Sequence, residues 1–574
     1  MPHAYDLVIR NGLVVDGSGA ERFEADVAVT DGRIAAIGAV SGRGAEEIDA
    51  HGLLVTPGFV DIHTHYDGQA VWSERLSPSS SHGVTTVVGG NCGVGFAPCR
   101  PEHHDLLVSV MEGVEDIPEV VMTEGLTWEW ETYPDYLNAI EKRPHDIDFA
   151  SQIPHSAVRV YVMGQRGADR EAATADDLNR MQAIVREAMQ VGALGFATSR
   201  LIIHKTGQGD AIPTWEAAES ELEAMAMALK DAGKGVLQAV FGAPGRTFED
   251  EIDLLSRLTR MSGRPASFSM AQANDNPDAW RGVMRHLAAA NREGPPIRAQ
   301  VYPRPIGVVL GFDLSINPFS LCPSYQPLIK LPFAQRIAAL RDPAMRARLL
   351  AEEPGDAIIP LARMGRRFNF IYPLGDPPNY EPTQASSLAA QATARGVHPA
   401  ELAYDLLLEN DGRGLLLAAL ANYGSGSLDP IHALITDPNS VLGLGDGGAH
   451  YGMICDSSYP TFVLQHWTRE RQGARLSIEA AIKALTSDPA ETVGLRDRGL
   501  LAVGRKADLN VIDYDAVALE TPHVLYDLPA GGRRITQGAR GYEALVVSGQ
   551  VVSRGGEPTG ALPGRLVRGP QAVA

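Results

Sequence analysis

The sequence predicts an α/β protein: a TIM-like (β/α)8 barrel, a small β-sandwich domain built from both chain termini, and an insertion over the barrel mouth. Three observations lead there. Between residues 57 and 485, apolar strand-like runs alternate with amphipathic helices, the pattern of βα units around a parallel sheet. Both chain ends consist instead of short alternating strands broken by Asn-Gly and Asp-Gly turns, which are hairpin signals. A chain of 574 residues, 44% hydrophobic and 21% charged, can also fill a large core.

Taken in order, YDLVIRNGLVVDG (5–17) and ADVAVTDGRIAAIG (25–38) alternate and turn at Asn11-Gly12, Asp16-Gly17 and Asp31-Gly32. GRKADLNVIDYD (504–515) and GYEALVVSGQVV (541–552) have the same texture. The two ends are expected to meet as one domain, residues 1–56 with 486–574, from which a barrel of residues 57–485 emerges. Strands are expected at 58–62, 84–90, 193–199, 235–241, 265–271, 297–302 and 441–445, and helices at 175–191, 216–232, 248–262, 278–292 and 478–485. Seven or eight such units suggest a closed barrel, with its active site at the C-terminal ends of the strands. The stretch 303–430 breaks this rhythm. It is Pro-rich around 318–332 and 373–383, with helices at 334–350 and 384–396, and reads as the insertion.

Bulk properties exclude several partners. A formal charge of -20 argues against nucleic acid and anionic membrane surfaces. No run of 18 or more apolar residues is present, and the start MPHAYDLVIR lacks a secretory pattern. Four cysteines, Cys92, Cys99, Cys322 and Cys455, are too few for a disulfide scaffold and fit a reducing cytoplasm. The expected partner is a small-molecule substrate. Self-association is common among barrels of this size.

Three stretches at expected strand ends carry the polar chemistry. In PGFVDIHTHYDG (57–68), His63 and His65 stand two apart on extended backbone, so both imidazoles point the same way and can share a metal ion. The alternative is a pair of idle surface histidines. Cys92 follows VTTVVGG in a Gly-rich turn and is either a thiolate ligand or a small core hydrophobe. Asp446, after VLGLG, is either a metal ligand and general base or a turn aspartate before glycines.

Together these stretches resemble the amidohydrolase superfamily, at PGFVDIHTH, at GLGDGGAH and at TSDPAETVGLRDRGLLAVGRKADLNVID (486–513). Within it, GGNCGVGFAP (89–98) and IPHSAVRVYVMG (153–164) are similar to the N-acyl-D-amino-acid deacylases, or D-aminoacylases. The resemblance implies metal ligands at His63, His65, Cys92 and Asp446, with Asp446 also the general base, and Zn²⁺ as the cofactor. The family's second metal uses two further histidines at the ends of middle strands. Here those places hold Gln238 and Gln272, and neutral amides are poor zinc ligands. One ion per chain is therefore expected, with a second as the alternative. The activity implied is hydrolysis of a linear amide such as an N-acyl amino acid. The alternatives are hydrolysis of a cyclic amide or carbamate, and a catalytically silent barrel that binds a ligand.

Further candidates face the substrate in this reading. Gln238 and Gln272 either bond the substrate amide or cap strand ends. His155 either orients substrate or is a core histidine. His204 and Lys205, after SRLII, either meet a substrate carboxylate or are a solvated pair. His450 orients Asp446 or substrate. Arg304 binds a carboxylate bidentately or sits in a buried salt bridge. His82, His103 and His104 are expected on solvated turns, and Trp128 and Trp130 at the barrel rim.

Overall fold

The computed structural model describes residues 3–356 and 360–572. Residues 1–2 and 573–574 of the expected terminal domain, and 357–359 of the expected insertion, lie outside the described residues.

The central sheet is parallel. Phe59–Asp61 pairs with Val84–Gly89, which pairs with Asp148–Ser151. After Gln152 alone the chain continues into Ile153–Pro154, which pairs with Gly195–Ser199. From there the ladder runs through Val236–Val240, Ala266–Met270 and Ile297–Val301 to Ser440–Leu442. The outer strands approach each other just beyond their C-terminal ends. The Asp446 N–H donates to the His63 carbonyl at 3.0 Å, and the His65 N–H to the Gly447 carbonyl at 2.7 Å. Val60, Val88, Ala150, Leu194, Val236 and Val441 belong to one buried cluster that also takes in Val493 and Leu495. Inward apolar residues from strands this far apart in sequence share one core.

Helices cover this sheet where the periodicity placed them. Ala175–Val191 and Phe248–Ser262 open on reciprocal capping boxes, Thr174 with Asp177 and Thr247 with Asp250, which satisfy two of the free N–H groups at each start. The second helix begins at Glu219, three residues after the expected 216. The expected single helix over 334–350 is two, Phe333–Leu340 and Pro343–Ala351. Pro343 has no N–H to continue the first helix and instead starts the second, capped by Asp342.

The two chain ends share a sheet. Leu54–Pro57 runs parallel to the end of Tyr5–Val14 and antiparallel to Leu509–Ile512, which pairs with Tyr542–Val547. Leu7, Ile9, Val27, Val55, Val511 and Val546 form its core. Between the last two strands of the parallel sheet lies an antiparallel trio, Ile306–Leu310, Leu416–Ala421 and Ile371–Pro373, where no strand was expected. It has its own core, including Phe312, Phe319, Tyr325 and Tyr404. Among the described residues no helix is long and apolar enough to cross a membrane.

Candidate metal centre

His63 and His65 leave the first parallel strand directly and are each 1% exposed. Asp61, on that strand, accepts the His63 N–H at 3.1 Å. His63 Nδ1 meets Gln300 Oε1 at 2.6 Å, while Gln300 Nε2 donates to Ser267 Oγ. Gln300 therefore presents an acceptor, so the His63 hydrogen sits on Nδ1 and Nε2 is left bare.

Cys92 sits in a left-handed turn, φ 55, at the end of the second strand. Gly90 makes the turn possible: its φ is 74, and a Cβ there would lie 2.0 Å from the Gln152 carbonyl oxygen. Asn91 donates to the Thr64 and Val88 carbonyls at 3.2 and 2.7 Å, pinning the turn to the histidine segment. Cys92 Sγ thereby lies 3.3 Å from His63 Nε2. One ligand atom from each of His63, His65 and Cys92 fits within 4.8 Å of the others. From the last strand, Asp446 Oδ1 comes within 3.6 Å of His63 Nε2 and 3.7 Å of His65 Nε2. Leu444, Asp446 and His450 all have positive φ, so this loop is held in backbone conformations costing about 1–3 kcal/mol each. Asp446 is 23% exposed, whereas the two histidines are buried, so the carboxylate is the face open to a substrate.

The charges suit a divalent cation at this place. Burial pushes the Cys92 thiol up to about 12, opposed by His65. Burial likewise raises Asp61 to about 8 and Glu115 to about 7. Burial would raise Asp446 as well, but His65, His63 and His450 outweigh it and hold its carboxyl at about 2. Burial drives His63 down to about 4. A divalent ion among these groups would favour the thiolate and the carboxylates and take the bare imidazole nitrogens. His65 Nδ1 and Glu115 Oε1 lie 3.3 Å apart, and neither has a hydrogen-bond partner.

The remaining candidates are distributed around this cluster. His450 Nε2 is 3.5 Å from Glu115 Oε2. His204 bonds Ser199 Oγ through Nδ1 at 2.9 Å, and burial, with His450 and His65 nearby, drives it down to about 3. Lys205 lies over the Trp215 ring, 5.5 Å from its centre. Gln238 Oε1 accepts the Cys92 N–H at 3.2 Å, and its Nε2 is buried without a partner. Gln272 is spent on the 422–425 segment. It donates to Ser425 Oγ at 3.1 Å and accepts from Gly424 N–H at 3.3 Å. His155 is fully enclosed between Thr198 Oγ1 and Glu221 Oε1, at 2.9 and 2.8 Å. Arg304, 1% exposed, pairs with Asp456 at 2.9 Å and lies over Tyr380. His82, expected on a solvated turn, is instead buried. Its nitrogens meet Thr461 Oγ1 at 2.7 Å and the Gln537 carbonyl at 2.9 Å, so the 79–82 turn packs inward. His104 stacks on Trp128 with ring centres 3.7 Å apart.

Glu115 and Gln300 were not singled out from the sequence. Each stands inside a regular element with no flanking motif, and only the folded chain brings it to the histidines.

The Amidohydrolase family profile matches residues 46–553. N-acyl-D-glutamate deacylase of Alcaligenes xylosoxydans xylosoxydans is 27% identical over 581 aligned residues, covering 100% of this chain and 99% of its own. A solved D-aminoacylase with a binuclear metal center has a TM-score of 0.66 at 23% identity, covering 98% of this chain and 99% of that one. N-acyl-D-glutamate deacylase from Bordetella bronchiseptica, complexed with zinc and a phosphonate inhibitor, has a TM-score of 0.65 at 23% identity with the same coverage. These structures share the fold. The profile match spans well over half of the chain, and the chain belongs to the amidohydrolase family, as a metal-dependent hydrolase acting on non-peptide C–N bonds.

Proposed function

We propose that this chain deacylates N-acyl amino acids, with one zinc ion held by His63, His65, Cys92 and Asp446. The observation that carries this reading is the approach of Asp446 Oδ1 to both His63 Nε2 and His65 Nε2, with Cys92 Sγ beside them. In the same reading the parallel strands close as a (β/α)8 barrel over residues 57–485, the ends form the small domain of 1–56 with 486–574, and 303–430 covers the mouth.

A zinc ion held there would supply Lewis acidity toward the attacking water and the scissile carbonyl. Asp446, ionised and open on one side, takes a proton from the attacking water and returns it to the leaving amine. The unpaired Gln238 Nε2 offers a donor to the substrate amide oxygen. His204 and His450 lie near Asp446, where a substrate carboxylate would enter, and Lys205 would meet that carboxylate only by leaving the Trp215 ring.

The test is a screen of N-acyl D- and L-amino acids, with a hydantoin and a carbamate included, while metal content is measured. Turnover of an N-acyl amino acid with near one zinc per chain supports the reading. Less than about 0.2 metal per chain, with no rescue by added Zn²⁺, overturns it, because the four-ligand set would then hold nothing. Turnover of the hydantoin or carbamate alone would move the substrate class but leave the metal site standing.

A further inference from the structure

The helix His104–Glu115 ends on an acid that touches two histidines at once. Glu115 is 1% exposed. Its Oε1 lies 3.3 Å from His65 Nδ1 and its Oε2 3.5 Å from His450 Nε2. Its backbone carbonyl also accepts the His450 N–H. The next residue, Asp116, has φ 49 and ends the helix. Its carboxylate accepts from Ser315 Oγ at 3.0 Å and Gly452 N–H at 3.2 Å. The corner that carries Glu115 is thus fixed to the segment just after Asp446.

We propose that Glu115 is a positioning residue, a clamp that sets the tautomer and orientation of His65 and ties it to the Asp446–His450 turn. The inference rests on His65 being a metal ligand. A divalent ion beside it would hold Glu115 as a carboxylate, which only accepts hydrogen bonds, so each ring nitrogen turned toward it would carry its hydrogen. With the hydrogen on His65 Nδ1, Nε2 keeps its lone pair free for a metal, and Nε2 is the atom 3.7 Å from Asp446 Oδ1. Without the acid, a neutral His65 is free to place its hydrogen on Nε2 and would then not bind a metal through it. The same rule puts the His450 hydrogen on Nε2 and leaves its Nδ1 as an acceptor on a side chain 20% exposed. Two carboxylate oxygens serve two rings. A glutamine has one acceptor and one NH2, so it must turn a donor toward one of them. Carboxylates and carbonyls that orient metal-bound histidines are worth about 10–100-fold in metal affinity.

Zinc dissociation constants measured against a competing chelator test this on the full chain, for the unaltered protein, Glu115→Gln and His65→Asn. The expected result is tight binding in the unaltered protein, loss of binding in His65→Asn, and zinc held about 10–100-fold more weakly in Glu115→Gln. The donor that Glu115→Gln turns toward a ring N–H will also lower the melting temperature of the metal-free protein, so the deciding readout is the zinc affinity of the folded variant, which a purely structural role for Glu115 would leave unchanged. The cobalt-substituted variant should keep the thiolate charge-transfer band of Cys92. An affinity in Glu115→Gln within about twofold of the unaltered protein overturns the clamp while leaving the His65 site intact. Absence of metal from the unaltered protein overturns the proposed function, and the clamp with it. Should Glu115→Gln fail to fold, Glu115→Asp retains an acceptor-only carboxylate one methylene short. Weaker zinc binding by that variant supports the clamp, and unchanged binding overturns it.

Discussion

Two halves of the candidate site face each other across the parallel sheet, and their polar side chains are used in opposite ways. On the side of the first, second and last strands, His63, His65 and Cys92 bring their ligand atoms together, and Asp446 Oδ1 approaches both histidines. On the side of the middle strands, the amides turn toward the protein itself. Gln238 holds the backbone of Cys92, Gln300 holds His63, and Gln272 holds the 422–425 segment. Where the family resemblance places a second pair of metal-binding histidines, this chain has scaffold. The difference teaches that polar side chains facing a cluster of ligand atoms can be tied into the protein instead of joining the cluster. Gln238 and Gln300 brace the histidine–cysteine cluster, and a brace and a ligand respond differently to mutation.

The largest effect separates the halves directly. Asp446→Asn removes the proposed metal ligand and base together and should lower turnover by at least about 10²–10⁴-fold, the usual contribution of a positioned acid or base. Cys92→Ser should release the metal, read as zinc content per chain. Undiminished turnover in Asp446→Asn, with the fold intact by circular dichroism, would remove Asp446 from the mechanism.

The brace should cost less. Gln300→Leu keeps the volume of the side chain but leaves His63 Nδ1 and Ser267 Oγ without their partner. The expected result is zinc affinity down by about 10–100-fold, with the metal still at one per chain under saturating zinc. A fall to zero under saturation would mean that Gln300 does more than orient His63.

A second histidine–glutamate pair sharpens the contrast with His65–Glu115. His155 meets Glu221 at 2.8 Å, and Arg159 completes the group, so every partner is spent within the fold. Burial would raise the Glu221 pKa, but His155 and Arg159 outweigh it and bring it to about 2, from an ordinary 4.5. A carboxylate with a depressed folded pKa stabilises the protein above its unfolded value, and that stability is lost as pH falls from about 4.5 toward 2. At 1.36 kcal/mol per unit, the contribution is on the order of 3 kcal/mol. Glu221→Gln should therefore melt well below the unaltered protein at neutral pH, and the gap should close as pH falls through that window. A constant gap would show that the pair is not linked to protonation.

What the sequence revealed follows from where each signal lies. His63, His65, Cys92 and Asp446 each stand just after an apolar run and beside turn glycines, so a strand end and its chemistry can be read together from neighbouring residues. Parallel strands and capped helices such as Ala175–Val191 are legible for the same reason, because periodicity and caps are local. Glu115 lies in VSVMEGVE, which reads only as an amphipathic helix, and Gln300 in IRAQV, which reads only as a strand. Their roles depend on residues supplied by other strands. The antiparallel trio was missed because LLAALA, at 416–421, fits a buried helix as well as a strand, and its partners are far away in sequence. His82 was misplaced because Ser79–His82 has the composition of a surface turn. Its burial is set by Thr461 and Gln537, hundreds of residues on.

The smallest effect expected is at Gln272, and it is the cleanest test of whether the middle strands are scaffold. Its side chain bonds Pro277, Ser425 and Gly424, and its N–H donates to Asn422 Oδ1 at 2.8 Å. None of these partners belongs to the histidine–cysteine cluster. Gln272→Ala leaves the Gly424 N–H and the Pro277 carbonyl without this partner, a loss of about 1–3 kcal/mol, which would appear as a lower melting temperature. Zinc affinity should not change, in contrast with Gln300→Leu, where it falls by about 10–100-fold. If Gln272→Ala instead weakened zinc as much as Gln300→Leu did, the two halves of the site would not be separable. The middle strands would then have to be counted as part of the metal centre.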